Sequence, residues 1–226
     1  VAVEQDGRRF RSGSGVLVAS RPASRGVGRE CFVLTSGHTL AGFAAPQEVY
    51  VLLERHQGPG RKVRARLLAR RDGEGVDLAL LAVEADGCPV ARLGSPPALG
   101  DSIWVVAFPW GRNMTLVSGV VSQLNADPPT GQDGDSRLMI GASVSYGASG
   151  GGVFDAESGR LVGLIEGYRT ARVSFKSDGA QRYFEVPVPG ETYVTPLVDV
   201  HRFLDESGFA SLLGAPLTRT LAAPRP

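Results

Sequence analysis

One serine in this chain has surroundings suited to a nucleophile. Ser149 lies inside Ser145–Tyr146–Gly147–Ala148–Ser149–Gly150–Gly151–Gly152, and the apolar Val153–Phe154 follows. Glycines on both sides let the backbone turn sharply and leave the hydroxyl exposed. They also let main-chain N–H groups converge on one point with no Cβ in the way. A glycine-flanked serine alone is ordinarily just a turn, so the case depends on a base and a carboxylate that orients it. The chain has three histidines. His56 sits in a polar hairpin beside Gly58–Pro59–Gly60 and His201 in an expected helix, and both read as structural or solvated. His38 instead follows Cys31–Phe32–Val33–Leu34–Thr35, where a buried strand gives way to the turn Ser36–Gly37–His38–Thr39–Leu40. Imidazole is the side chain whose ordinary pKa suits proton transfer near neutrality. Asp77 opens the apolar run Leu78–Ala79–Leu80–Leu81–Ala82–Val83, and a carboxylate at the lip of a core strand needs a partner. Asp72 and Glu74 are rivals for its role, but they lie in a glycine turn and read as solvated.

The elements that must position these groups are mostly strands. With 226 residues and 42% hydrophobic content, the chain can bury a sizeable core as one large domain or two small ones. Its Gly 30 and Pro 15 fit many short strands joined by tight turns. Residues 1–11 are polar and read as a ragged start. Strands are expected at Val16–Ala19, Cys31–Thr35, 77–83, Ser102–Phe108, Thr115–Ser122, Leu138–Ile140 and Arg160–Tyr168. Residues 48–55 and 62–70 read as a hairpin, the second arm alternating apolar and basic residues. The Pro- and Gly-rich stretch 84–100 marks the boundary between two halves. Thr195 as cap and Pro196 in the first turn predict one helix, with Leu197, Val200, Phe203 and Leu204 on one face. That face is expected to pack on the second half, with a frayed tail over 214–226.

Composition excludes several functions. The net charge of +1 gives no case for nucleic acid or an anionic membrane as partner. The basic residues of 62–70 have no interleaved aromatics and read as a solvated strand face. No apolar run approaches the ~18 residues that span a bilayer. Cys31 and Cys88 lack CxxC spacing, so zinc is not expected, and whether they form a disulfide is left open. Asp133 and Asp135 offer too few ligands for calcium. No metal is therefore expected. The chain begins at Val1 without a methionine or signal peptide, the expectation for a mature form or an excised domain.

The chain order His38, Asp77, Ser149 matches the chymotrypsin-type arrangement and differs from those of subtilisin and the α/β-hydrolases. The sequence resembles the trypsin-like serine proteases, nearest the bacterial HtrA (Deg) type, over roughly residues 12–205. The likeness lies in Ser14–Gly15–Val16, Leu34–Thr35–Ser36–Gly37–His38, Asp77–Leu78–Ala79–Leu80–Leu81 and Leu93–Gly94–Ser95. It continues in Gly100–Asp101, Val106–Ala107–Phe108–Pro109–Trp110–Gly111, Val117–Ser118–Gly119–Val120–Val121–Ser122 and Gly147–Ala148–Ser149–Gly150–Gly151. The resemblance implies an all-β fold of two six-stranded antiparallel β-barrels with a C-terminal α-helix. Residues 1–92 would form the first barrel, 93–194 the second, 195–213 the helix packed on the second, and 214–226 a tail.

By the same resemblance, Ser149 attacks a peptide carbonyl, His38 takes its proton, Asp77 orients His38, and the N–H groups of Gly147 and Ser149 hold the oxyanion. It implies a polypeptide substrate, an acyl-enzyme, no cofactor and an extracytoplasmic location. A substrate pocket lined by Ser143, Leu164, Ile165 and Gly167 follows by analogy, and without an acid at Ser143 it points to a small or medium apolar residue. Three features depart from the family pattern. Ala148 stands where Asn or Asp is usual, which removes the carboxylate that pairs with a new amino terminus in trypsin-like zymogens. Glu166 falls where the strand passes Asp77. The residues after the helix leave no room for the PDZ domain usual in HtrA proteins, the expectation for a trimmed chain or a stand-alone relative. The rival reading is a latent or inactive protease-fold module that acts by binding a partner.

Overall fold

The computed structural model describes residues 1–23, 28–53, 60–73, 75–126, 137–177 and 179–214. His56, Glu74, Asp133, Asp135 and the tail from residue 215 lie outside the described residues. The first seven strands are β1 (Ala2–Gln5), β2 (Arg8–Ser12), β3 (Val16–Pro22), β4 (Arg29–Thr35), β5 (Glu48–Leu53), β6 (Arg61–Arg71) and β7 (Leu78–Ala85). They form one antiparallel sheet in the order β2-β1-β5-β6-β7-β4-β3. The next six are β8 (Ser102–Ala107), β9 (Thr115–Ala126), β10 (Arg137–Ile140), β11 (Gly152–Asp155), β12 (Leu161–Ser177) and β13 (Ala180–Pro196). They close into a barrel in the order β10-β13-β12-β11-β8-β9.

The all-β architecture is thus as expected, with one more strand in the first sheet. Two of its strands, β1 and β2, come from residues 2–12, which form a hairpin where the sequence predicted a ragged start over 1–11. Asp6 (φ 50) and Gly7 (φ 73) supply the pair of left-handed residues that a tight hairpin turn requires. Ala2 and Val3 are buried, and β1 pairs with β5 through Val3↔Val49.

Register brings the functional residues together. In the β4–β7 ladder Thr35 faces Ala79 and Leu34 faces Leu80. The exit of β4 therefore lies beside the entry of β7, so His38 and Asp77 reach one sheet end although 39 residues separate them. A disulfide joins Cys31 in β4 to Cys88 beyond β7, with Cα atoms 5.8 Å apart.

The helix α1 spans Leu197–Glu206 with Pro196 at its N-cap, one residue later than the predicted cap at Thr195. Thr195 stays in β13, paired with Leu164, and its buried hydroxyl faces the Glu166 carboxylate at 3.4 Å. Strand pairing has taken the residue that would have capped the helix. The helix was expected on the second barrel alone. Its stripe Leu197, Val200, Phe203 and Leu204 instead joins a cluster containing Phe32, Leu34 and Leu80 of the first sheet as well as Leu161 and Leu164. At ~1.5–3 kcal/mol per large apolar side chain buried, this shared cluster is a principal bond between the halves.

β12 and β13 run on well past Tyr168, where the sequence predicted the strand to stop. Eight further pairs, from Thr170↔Pro187 to Ser177↔Ala180, extend the hairpin as a two-stranded arm. Phe175 and Phe184 meet across it at 5.7 Å between ring centroids. Among the described residues no helix is long and apolar enough to cross a membrane.

Candidate active site

His38 sits in a single 3-10 turn, Gly37–Leu40, at the end of β4. Glycine is required before it, because a Cβ on Gly37 would lie 1.9 Å from the Arg71 carbonyl oxygen. Asp77 holds the histidine at two points. The His38 main-chain N–H donates to Asp77 Oδ1 at 2.7 Å, and His38 Nδ1 lies 2.5 Å from Asp77 Oδ2. An ionised carboxylate only accepts, so Nδ1 carries the proton and Nε2 is left as acceptor. His38 Nε2 is 3.0 Å from Ser149 Oγ. Asp77 is 7% exposed, so its charge acts in a setting of low polarity. Burial pulls the His38 pKa down, but the hydrogen bond and charge of Asp77, joined by the charge of Glu166, outweigh it, and the net shift is upward.

The loop carrying Ser149 is shaped by close approach. Gly147 (φ +87) would place a Cβ 2.6 Å from the Trp110 nitrogen, and Gly150 (φ +83) would place one 2.4 Å from the Ser14 carbonyl oxygen. Neither the Gly147 nor the Ser149 N–H has an acceptor among the described residues. Ala148 is 1% exposed and packs in the second barrel's apolar cluster with Val105 and Val153. The site has core there and holds no carboxylate.

Two residues brace this loop in a way the sequence reading did not assign. Ser14 is 1% exposed. Its Oγ donates to the Gly147 carbonyl at 2.8 Å and accepts from the Phe108 N–H at 2.8 Å. Its main chain accepts from Thr35 Oγ1 and donates to the Ser149 carbonyl. One residue between β2 and β3 thus stitches the end of β4 to the loop of Ser149. The Ile165 carbonyl does the reciprocal work, accepting from Ser36 Oγ at 2.9 Å and from the Gly150 N–H at 2.7 Å. Ser14 stood in a recognisable Ser–Gly–Val motif, but nothing in the sequence signals a carbonyl as a brace.

Of the expected pocket residues, Gly167 borders a cavity of about 440 Å³ beside His38. Ser143 is exposed and takes a hydrogen bond from the Gly190 N–H at 3.2 Å. Leu164 and Ile165 have side chains buried in the two apolar clusters, and neither borders that cavity. Glu166 is buried too. Its Oε2 accepts from Arg137 Nε at 2.7 Å, while Oε1 has no partner among the described residues. Burial raises the Glu166 pKa and the Asp77 charge adds to this, with Arg137 opposing. An aromatic row missed in the sequence flanks the loop: Trp110 contacts Tyr146 at 5.3 Å, and Tyr146 contacts Tyr168 at 5.8 Å. A larger cavity, about 910 Å³ and walled by Leu17, Val51 and Phe154 among others, touches none of His38, Asp77 and Ser149. The hydrogen bonds, not cavity size, locate the site.

The trypsin-like peptidase domain family matches residues 13–164, and the chain belongs to that family. The protein is similar to one named probable periplasmic serine endoprotease DegP-like from Hahella chejuensis, 33% identical over 61% of this chain and 28% of that protein. It is also similar to one named probable periplasmic serine protease do/HhoA-like from Haemophilus influenzae, 28% identical over 80% of this chain and 35% of that protein. A third relative is Protease Do-like 2, chloroplastic, of Arabidopsis thaliana, 30% identical over 59% of this chain and 22% of that protein. The chain thus spans about a third or less of these relatives' lengths. Among solved structures, an HtrA-type protease, an AlgW serine-to-alanine variant with a decapeptide, shares the fold. Its TM-score is 0.63 at 24% identity, over 89% of this chain and 54% of that one.

Proposed function

We propose that this chain is a serine endopeptidase domain in which Ser149 is the nucleophile, His38 the general base and Asp77 the residue that orients the base. The observation that carries the reading is the unbroken set of short contacts from Asp77 through His38 to Ser149 Oγ, beside two N–H groups without acceptors. In this scheme Ser149 Oγ attacks the peptide carbonyl carbon as its proton passes to His38 Nε2. The carbonyl oxygen takes up the negative charge between the Gly147 and Ser149 N–H groups. His38 returns the proton to the leaving amine, the C–N bond breaks, and an acyl-Ser149 ester remains. Water, deprotonated by the same nitrogen, then hydrolyses that ester. Asp77 stays ionised and stabilises the imidazolium.

Residues 1–92 and 93–194 form the two walls of the site, with His38 and Asp77 on one and Ser149 on the other. Residues 195–213 lock the walls together. The substrate is a polypeptide, in keeping with the decapeptide of the solved relative. Without an acid at Ser143, the primary pocket takes a small or medium apolar side chain. An extracytoplasmic location is supported by the periplasmic names of two relatives and by the Cys31–Cys88 disulfide.

The test is covalent labelling with a fluorophosphonate, read by intact-mass and peptide mass spectrometry on wild type and Ser149→Ala. An adduct at Ser149 that the variant lacks is the expected result. An unmodified wild-type protein refutes the reading and favours a protease fold that acts by binding.

A further inference from the structure

The turn that carries His38 is held at its carbonyls by two arginines of different standing. Within Gly37–Leu40 and its caps, the Ser36 and His38 carbonyls accept from the Thr39 and Ala41 N–H groups. The Gly37 carbonyl accepts from Arg70 Nε at 3.1 Å, and Arg70 pairs with Asp72, so that cation is neutralised where it stands. The His38 and Ala41 carbonyls both accept from Arg11 Nη1, the first at 3.3 Å. Arg11 is exposed and has no carboxylate partner among the described residues. Its charge is met by carbonyl dipoles at the carboxyl end of a helical turn, where a cation is best placed.

Arg11 belongs to β2, at one edge of the first sheet, whereas the turn follows β4 near the other edge. The β1–β2 ladder slips between Val3↔Arg11 and Glu4↔Arg9 and leaves Phe10 without an opposite residue. Such a bulge bends a strand and re-aims its side chains. Here Arg11 reaches the His38 turn, while Arg9, on the other side of the bulge, reaches the Gly111 carbonyl at 3.2 Å. We propose that Arg11 is a positioning residue, which clamps the main chain of the turn that presents His38 to Ser149 and so ties the base to the amino-terminal hairpin. This rests on the endopeptidase reading. The charges of Asp77 and Glu166 raise the His38 pKa and that of Arg11 lowers it, while Tyr168 and Tyr193 complete the wall beside the ring. Loss of Arg11 therefore frees the turn and removes the charge that opposes the two carboxylates.

Two readouts on the whole chain test this. One is the His38 ring titration, followed by NMR and assigned against His38→Ala. The other is the rate of fluorophosphonate labelling at Ser149, at a pH where His38 is neutral. Arg11→Met keeps the aliphatic stem and removes donor and charge. It is expected to raise the His38 midpoint by about 0.3–0.5 pH unit at low salt and to slow labelling about tenfold. Arg11→Lys returns a charge and several N–H donors and should restore most of both. Arg9→Met removes an equal charge from the same strand and should leave the His38 midpoint in place. In wild type, high salt should screen the exposed guanidinium and raise the midpoint, a shift absent from Arg11→Met. The wild-type salt series decides the matter even where Arg11→Met does not fold, and a midpoint indifferent to salt overturns the role. So does an unchanged midpoint or an unchanged rate in Arg11→Met, an equal shift in Arg9→Met, or no rescue by lysine. A wild type that labels, with a titration blind to Arg11, overturns this role alone. A wild type that never labels overturns the endopeptidase reading, and the role with it.

Discussion

Ser14→Ala removes one hydroxyl and breaks the stitch between the two halves at a single atom. The Gly147 carbonyl loses its donor and the Phe108 N–H loses its acceptor, both in part-buried bonds to a serine that is itself 1% exposed. Two fully buried orphans would cost roughly 2–6 kcal/mol, and the part-buried setting of both bonds puts the expected loss in the lower half, about 2–4 kcal/mol. The main-chain bonds of Ser14 to Ser149 and Thr35 survive, which keeps the loss below the ~5–15 kcal/mol total of a typical domain. The variant should therefore fold but with a looser loop. Gly147 is then held less firmly, and its N–H no longer points reliably at the oxyanion position. Fluorophosphonate labelling of Ser149 should slow by about ten- to a hundredfold, in the range for a weakened oxyanion donor. Urea unfolding of both proteins gives the first quantity and labelling rates the second. A stability change under about 0.5 kcal/mol, the size of an ordinary surface substitution, together with an unchanged labelling rate, would refute the reasoning.

Other expectations concern charge, covalent closure and backbone. Labelling should rise with pH as His38 loses its proton, with a midpoint above the ordinary histidine value of about 6.5, and Asp77→Asn should move that midpoint down. A midpoint unchanged in Asp77→Asn would count against the coupling. Because the folded-state pKa of His38 is raised, its protonated form stabilises the fold. That contribution is complete below the unfolded value and is lost as pH rises through the folded value, a trend that urea titrations across this range would detect. Reducing Cys31–Cys88 opens a loop with a sequence separation of 57 and should cost about 4 kcal/mol on loop entropy. Paired urea curves with and without reductant measure it, and a loss below about 1 kcal/mol would contradict that account. Gly150→Ala combines a left-handed backbone with a Cβ 2.4 Å from the Ser14 carbonyl, so it should cost more than about 2 kcal/mol and abolish labelling. A well-folded variant that still labels would show that the loop has room to move.

The chemistry was more legible in the sequence than its supports. His38, Asp77 and Ser149 each sit where an apolar run meets a turn, and hydrophobic patterning locates such junctions well. The strands beside them are short apolar runs bounded by turns, so the all-β architecture followed as well. Residues 1–12 were misread because Ala2 and Val3 are too brief an apolar signal to outweigh the polar stretch around them, although Asp6–Gly7 marks a hairpin turn. Thr195 was given to the helix because its local capping chemistry is sound, but a strand ladder with Leu164 prevailed. Leu164 and Ile165 were assigned to a pocket by position along a strand. Which face looks inward depends on the irregular register between Ile165 and Gly167, and a bulge leaves no trace in composition. The bracing roles of Ser14 and of the Ile165 carbonyl depend on main-chain atoms that every residue has, so nothing in the sequence distinguishes them.

The two-stranded arm has a mechanical consequence. β12 forms the cavity wall at Glu166, Gly167 and Tyr168 and then continues to Ser177 without a break, while β13 returns along the same ribbon to Tyr193. Eight paired positions make a lever of roughly 25 Å at the usual rise per residue. Its pivot is the register slip between Tyr168 and Thr170, adjoining the cavity. Tension or torque applied near Ser177 therefore travels through covalent backbone into the wall beside His38. Whatever grips the tip of the arm also has hold of the pocket.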